Sequence, residues 1–232
     1  GPPCQAFSTV GRAQSPDSMN SDPRNYLFKE YLYVVKAVQP EVFVIENVKT
    51  LLSTAGGWFK EEILGYIQEL GYNVSYGILN AKRYGVPQAR ERAIFICSKG
   101  KKVPLPNGKD EIVTVRDAIS DLAYLNSAEG AFELNYISEA QSKLAMIPPE
   151  KGKEFLPEEL KGKQKFKTTW GRLVWDAVSP TIDTRFDTPS NGTNSHPELN
   201  RAITPREAAR IQSFDDKFVF YGSKFYIRNQ IG

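Results

Sequence analysis

Apolar and polar residues alternate at two distinct periods along this chain, and the switch between them separates helices from strands. Leu27, Phe28, Tyr31, Val34, Val35 and Val38 recur at helical spacing. Asp22-Pro23 supplies an N-cap and a proline at the first helical position, and Pro40 ends the pattern. Val42-Phe43-Val44-Ile45 is a continuous apolar run of strand length, as expected for a parallel strand buried on both faces, and it runs out in Glu46-Asn47-Val48. Trp58, Phe59, Ile63, Ile67 and Leu70 predict an inward-facing helix over 58–70, with Gly71 as its stop. Strand-like alternation follows from Tyr72 to Leu79, and Ala93-Ile94-Phe95-Ile96-Cys97 predicts another buried strand.

Elsewhere the periodicity fades. Thr9 to Ser21 is polar and aperiodic, so it reads as a long loop of the kind that often forms a lid. Between about Val103 and Asn200 regular alternation is lost among Pro106-Asn107-Gly108, Pro148-Pro149 and the run from Ser190 to Ser195, with short helices predicted over Thr114 to Leu125 and Ser138 to Met146. Near the end, Thr204-Pro205-Arg206-Glu207 is a capping box: Thr204 as N-cap, Pro205 first in the helix, Glu207 three residues on.

Composition adds little until it is mapped. With 232 residues the chain can form one large domain or two small ones. Its net charge of +3 is mild but uneven. Lys82, Arg83, Arg90, Arg92, Lys99, Lys101 and Lys102 face a single acid, Glu91, within one stretch, and seven more basic residues lie between Lys151 and Arg172 against three acids. Such segments point to a polyanionic partner. The two cysteines, Cys4 and Cys97, make no disulfide framework and fit a reducing compartment. No apolar run reaches the ~20 residues of a membrane span, and the opening does not read as a signal peptide.

Three short stretches carry candidate chemistry. Gly1-Pro2-Pro3-Cys4-Gln5-Ala6-Phe7-Ser8 presents a thiol on a backbone stiffened by two prolines, although a cysteine near a terminus also serves as a small buried hydrophobe. Glu46 sits where a buried strand ends, the place where ligands bind in open α/β sheets, although capping or surface carboxylates are common there too. In Gln88-Ala89-Arg90-Glu91-Arg92 the alternation of an extended segment places Gln88, Arg90 and Arg92 on one face, three donors leading into a buried strand. Cys97 is most simply core. His196, the single histidine, reads as a surface or phosphate-contacting residue in a polar loop.

In this order and spacing, Pro2-Pro3-Cys4-Gln5, Glu46-Asn47-Val48 and Gln88-x-Arg90-x-Arg92 resemble central signatures of the DNA (cytosine-5) methyltransferases. Thr204 to Phe214 is similar to the family's penultimate motif, and Gln230-Ile231-Gly232 to the beginning of its last. Trp170 to Asp176, with Ser179-Pro180-Thr181-Ile182, resembles a framework common near the end of bacterial recognition domains. Asp215 replaces a usual proline. The resemblance implies an α/β protein: a partial Rossmann-like methyltransferase core over 1–103, a smaller, loop-rich target recognition domain over 104–200, and a C-terminal segment, 201–232, returning toward the core.

By the same resemblance Cys4 is the nucleophile that adds to carbon 6 of cytosine, and Glu46, Arg90 and Arg92 are the other catalytic residues. Glu46 would contact ring nitrogen 3 and the exocyclic amine, Arg92 the ring carbonyl, with Arg90 as buttress. Pro2, Gln5, Ser8, Asn47 and Gln88 are expected to bind the base, Arg12 and Arg24 the DNA backbone, and Pro3 the cofactor S-adenosylmethionine. No metal is expected. The implied partner is double-stranded DNA, and the implied setting is the cytoplasm of a bacterium, associated with its nucleoid, within a restriction-modification system. The family's glycine-rich loop and cofactor-binding acids have no counterpart here. The expectation is therefore that the isolated chain binds S-adenosylmethionine weakly, methylates nothing and tends to associate through exposed edges near Val42 and Ala93, with a separate N-terminal portion as the complementing partner. A tRNA cytosine-5 methyltransferase and a catalytically silent DNA-binding subunit are the competing readings.

Overall fold

Residues 26–122, 138–162 and 168–232 are described by the computed structural model. They fall into two units, one of residues 26–80 with 91–108 and the other of residues 81–90 with the described residues from 109 to 232.

In the first unit, α1 (Leu27–Val38) buries Phe28, Leu32 and Val35. Val34 and Val38 stay 56% and 67% exposed. At 100° per residue their stripe lies about a quarter turn from the buried one, so a single apolar face cannot hold both. The helix stops as expected before Pro40: Gln39 turns into the left-handed region at φ 53° and its N–H closes on the Val35 carbonyl at 2.8 Å. The predicted cap at Asp22-Pro23 lies outside the described residues. A second helix, α2 (Trp58–Glu69), buries Phe59, Ile63 and Ile67, whereas Trp58, expected to face inward, is 43% exposed. Gly71 ends it at φ 79°.

Three strands follow the order β1-β3-β2: β1 (Val42–Val48), β2 (Asn73–Asn80) and β3 (Glu91–Ser98). Both pairings are antiparallel, which corrects the parallel strand expected at Val42. β1 also lies at the edge of the described sheet and is buried on one face only, with Val42 and Val44 half exposed. A continuous apolar run marks a strand's propensity but not its direction, because direction is set by partners elsewhere in the sequence. Ala93, expected at an exposed edge, lies in the central strand, between its partners Asn47 and Ile78. Phe43, Ile45, Ala93, Phe95 and Cys97 point into one core with the buried faces of both helices. Burial pushes the Cys97 thiol up to about 12. Cys97 is thus an inert core residue, as the sequence suggests.

The second unit is built around capped short helices. Thr114 and Asp117 form a reciprocal capping box on α3 (Val115–Ile119). α4 (Ser138–Ala145) and α5 (Glu158–Lys161) follow, and β4 (Gly171–Arg172) pairs in parallel with β5 (Thr193–Ser195). Thr204 and Glu207 cap α6 (Pro205–Ile211) as the sequence predicts, and α7 (Lys224–Ile231) completes the unit. Ile203, Ala208, Ile211, Ile227 and Ile231 share a core with Val115, Leu173, Trp175 and Ile182. Residues 81–90 and 201–232 group with the described residues of 109–200.

His196 is corrected as well. It is fully buried rather than surface-facing. Its Nδ1 accepts from the backbone N–H groups of Glu198 and Leu199 at 3.2 and 3.0 Å, and its Nε2 lies 3.9 Å from Glu207 Oε1. Arg201 holds Glu207 through two bonds of 2.7 Å. A polar neighbourhood in sequence did not reveal this enclosure, because the groups that bury His196 are distant along the chain.

Burial holds the imidazole down at about 4, with Arg201 and Arg172 acting the same way and Glu207 and Glu198 opposing. The folded state therefore keeps His196 neutral while the unfolded chain takes up a proton near its ordinary value of 6.5. Stability should be fully present above pH 6.5 and fall as pH drops toward 4, by on the order of 3 kcal/mol from this group. Urea unfolding at pH 7, 6, 5 and 4 measures it. In His196→Asn, whose side-chain oxygen can replace Nδ1 as acceptor, the pH slope over that window should be markedly shallower.

Candidate active site

Of the expected site residues, Pro2, Pro3, Cys4, Gln5, Ser8, Arg12 and Arg24 lie outside the described residues. Glu46, Asn47 and Arg92 belong to the first unit, and Gln88 and Arg90 to the second.

Strand pairing explains how Glu46 and Arg92 meet. Glu46 lies opposite Ile94, and Arg92 is two residues from Ile94 along β3, on the same face. Diagonal neighbours of this kind are within reach of long side chains. Arg92 Nε sits 2.9 Å from Glu46 Oε1, with the arginine side chain 20% exposed and the glutamate 53%. The guanidinium is steadied by a bond from its Nη1 to the Glu91 carbonyl at 2.8 Å. Alongside, Lys49 Nζ contacts Glu91 Oε2 at 2.5 Å. Asn47 points to the buried face, where its Oδ1 accepts from the Val48 N–H at 2.9 Å and shapes the backbone just past Glu46. The two residues expected to make separate contacts to one base are therefore partners of each other. A carboxylate and a guanidinium side by side offer acceptors next to donors, which suits the polar edge of a planar heterocycle.

Gln88 and Arg90 precede β3, which begins at Glu91. Gln88 is fully buried, and its amide is engaged inside its own unit. The Ile182 N–H donates to its Oε1 at 3.1 Å, while its Nε2 donates to Gln212 Oε1 at 2.8 Å and to the Ile211 carbonyl at 3.4 Å. A side chain so enclosed shapes the backbone within its own unit. Arg90 Nη1 donates to the Ile182 carbonyl at 3.3 Å.

Around these two residues the segment Pro87–Arg90 is laced to Ser179–Ile182. Ala89 N–H donates to the Ser179 carbonyl at 2.7 Å and Ser179 N–H to the Pro87 carbonyl at 3.0 Å. Thr181 Oγ1 adds a bond to the Ala89 carbonyl at 3.0 Å. The sequence showed Ser179-Pro180-Thr181-Ile182 only as framework. Its physical signal was Pro180, which keeps Ser179 extended and so ready to pair. Arg172 was missed altogether. It is buried and donates to the carbonyls of Leu144, Ile147, His196 and Leu199 and to Asn200 Oδ1, bracing β4 against its surroundings.

The family model for C-5 cytosine-specific DNA methylases matches residues 1–232. The type II methyltransferase M1.HphI of Haemophilus parahaemolyticus is 37% identical over 100% of this chain and 62% of its own length. The type II methyltransferase M.Eco47II of Escherichia coli is 33% identical over 100% of this chain and 58% of its own. The chain thus spans about three fifths of the length of these relatives. The fold matches a crystal structure of a prophage-encoded DNA modification methyltransferase of E. coli, with a TM-score of 0.69 and 23% identity over 100% of this chain and 72% of that one. It also matches the Entamoeba histolytica methyltransferase EhMeth, with a TM-score of 0.61 and 17% identity over 99% and 69% of the two chains.

Because the Glu46–Arg92 pair is partly solvated, it should matter little for folding. Glu46→Gln is expected to change unfolding free energy in urea by less than about 1 kcal/mol. A loss of several kcal/mol would make the pair a structural brace.

Proposed function

Since the chain belongs to the C-5 cytosine-specific DNA methylase family, we propose that it acts in methylating carbon 5 of a flipped-out cytosine within a specific duplex sequence, as part of a bacterial restriction-modification system. The observation that carries this reading is the Glu46–Arg92 pair at the end of β1. S-adenosylmethionine, the methyl donor used by this family, supplies the methyl group when bound. Pro3, the one residue expected to touch it, lies outside the described residues.

Carbon 5 of cytosine is a weak nucleophile until the ring's aromaticity is broken. The Cys4 thiolate forms a bond to carbon 6, and the displaced π pair makes carbon 5 nucleophilic. After methylation carbon 5 loses its proton, the pair returns to the ring and the sulfur–carbon bond breaks. Charge builds on the ring during attack, so fixed groups at its edge matter most in the transition state. In its protonated form Glu46 donates to nitrogen 3 and accepts from the exocyclic amine, and Arg92 donates to the carbonyl oxygen, the two exchanging their contact with each other for contacts with the base. Arg90 and Gln88 hold the segment that leads into β3. A stacked base could not reach this edge, so the cytosine leaves the helix. Arg12 and Arg24 contact phosphates, and the loop-rich second unit supplies sequence choice. Among the described residues no helix is long and apolar enough to cross a membrane, and the reading places the enzyme in the bacterial cytoplasm.

Trapping tests the nucleophile. The full gene product should form a covalent adduct with duplex DNA carrying 5-fluorocytosine at its target, because fluorine blocks the final loss from carbon 5. Cys4→Ser should form none. Cys97→Ser should keep it, since burial holds that thiol near 12. An adduct in the Cys4 variant would overturn the assignment.

With duplex DNA carrying unmodified cytosine at the target, Arg92→Ala should lower the methyl-transfer rate by about 10²–10³-fold, the usual cost of one transition-state donor. A variant that stays folded and turns over normally would remove Arg92 from the site.

A further inference from the structure

Gln88 is one half of an amide chain whose other half carries no assigned role. Gln212, the first residue after α6, accepts from Gln88 Nε2 through its Oε1 at 2.8 Å and donates through its own Nε2 to the Ile231 carbonyl at 2.7 Å. Ile231 is the last residue of α7, where the final carbonyls have no partner within the helix. At the opposite end, the Ile182 N–H donates to Gln88 Oε1.

The two terminal groups fix the direction of the whole chain. A backbone N–H only donates, so Gln88 must turn its oxygen to Ile182 and its nitrogen to Gln212. A backbone carbonyl only accepts, so Gln212 must turn its nitrogen to Ile231 and its oxygen to Gln88. Neither amide can flip without setting like against like at both of its ends. The hydrogens therefore run one way, Ile182 to Gln88 to Gln212 to Ile231. Bonds aligned in this way in a partly buried environment reinforce one another.

We propose that Gln212 is a positioning residue for the reaction. Through this relay the end of α7 and the end of α6 hold Gln88, and with it the segment that carries Arg90, in one geometry. The inference rests on the functional reading above, since it needs Arg90 and the strand it leads into to serve the base. Gln212 touches no substrate. The other bonds on this segment, from Ser179 and Thr181, fix its backbone from the side. Gln88 ties it to both helix ends, directly to the Ile211 carbonyl and through Gln212 to the Ile231 carbonyl.

The test uses the full gene product. Gln212→Met keeps length and volume but removes both bonds. Gln212→Glu keeps the acceptor and removes the donor to Ile231. In each, kcat should fall about 10²-fold, as a misplacement of about 1 Å does, while KM for DNA stays within a factor of about three. Gln88→Met should behave alike, and the double variant should be no worse than either single one, because residues acting as one unit are not additive. A Gln212→Met enzyme that is folded and within twofold of wild type overturns the inference, as does a rise in KM with kcat unchanged.

Amide hydrogen exchange reads the same relay without activity. In Gln212→Glu the Ala89 and Arg90 N–H groups should exchange at least about tenfold faster while those of α3 keep their rates. Unchanged exchange at 89–90 overturns the inference. If wild-type protein methylates nothing under these conditions, the functional reading fails instead, and exchange alone decides whether Gln212 holds the segment.

Discussion

The period of two in a β-strand is the constraint on which the site depends. In β3 it sends Ala93, Phe95 and Cys97 to the core and Arg92 to the opposite face. In β1 it sends Phe43 and Ile45 to the core and Glu46 to that same opposite face. Antiparallel pairing then makes Glu46 and Arg92 diagonal neighbours. A slip of one residue in either strand would bury a charge and expose Phe95 or Ile45. Burying those side chains is worth roughly 1.5–3 kcal/mol each, so the core that fixes the register also fixes the charge pair. The site needs no stabilisation of its own to be assembled.

This explains why some of the architecture was legible in the sequence and some was not. Helix ends were visible because their signals are local: Pro40 after α1, Gly71 after α2, and Thr204 with Glu207 on α6. Motif residues were visible through resemblance. Strand direction was hidden, because Val42 to Ile45 looks the same whether its partner runs parallel or antiparallel. The burial of His196 and Arg172 was hidden for a similar reason. His196 sits among polar residues and Arg172 between Trp170 and Trp175 in sequence, and the groups that meet the Arg172 guanidinium come from segments up to 28 residues away.

The second unit follows a different logic from the first. Its short helices and two-strand ladder cannot close a core on apolar packing alone, and its interior carries Gln88, Arg172, Ser195, His196 and Glu207. Enclosed polar groups cost folding energy unless nearly every donor and acceptor is met. Arg172 meets that condition with five partners, and Glu207 with Arg201 and the Thr204 backbone. In exchange such a network tolerates few alternative arrangements, because a shifted segment would strand a charge rather than merely loosen a contact.

That difference bears on how catalysis and recognition can coexist in one chain. Apolar packing is forgiving of sequence so long as volume and pattern are kept, and it suffices where the demand is only that two strands stay in register. A segment that must deliver an arginine to a fixed place, and is itself not part of a sheet, needs directional bonds. Pro87–Arg90 obtains them from Ser179–Ile182 on one side and from the amide chain on the other. Each of those bonds ends on backbone or on an amide whose orientation backbone dictates. Side chains around the segment are therefore free to vary, while the groups that position it are not.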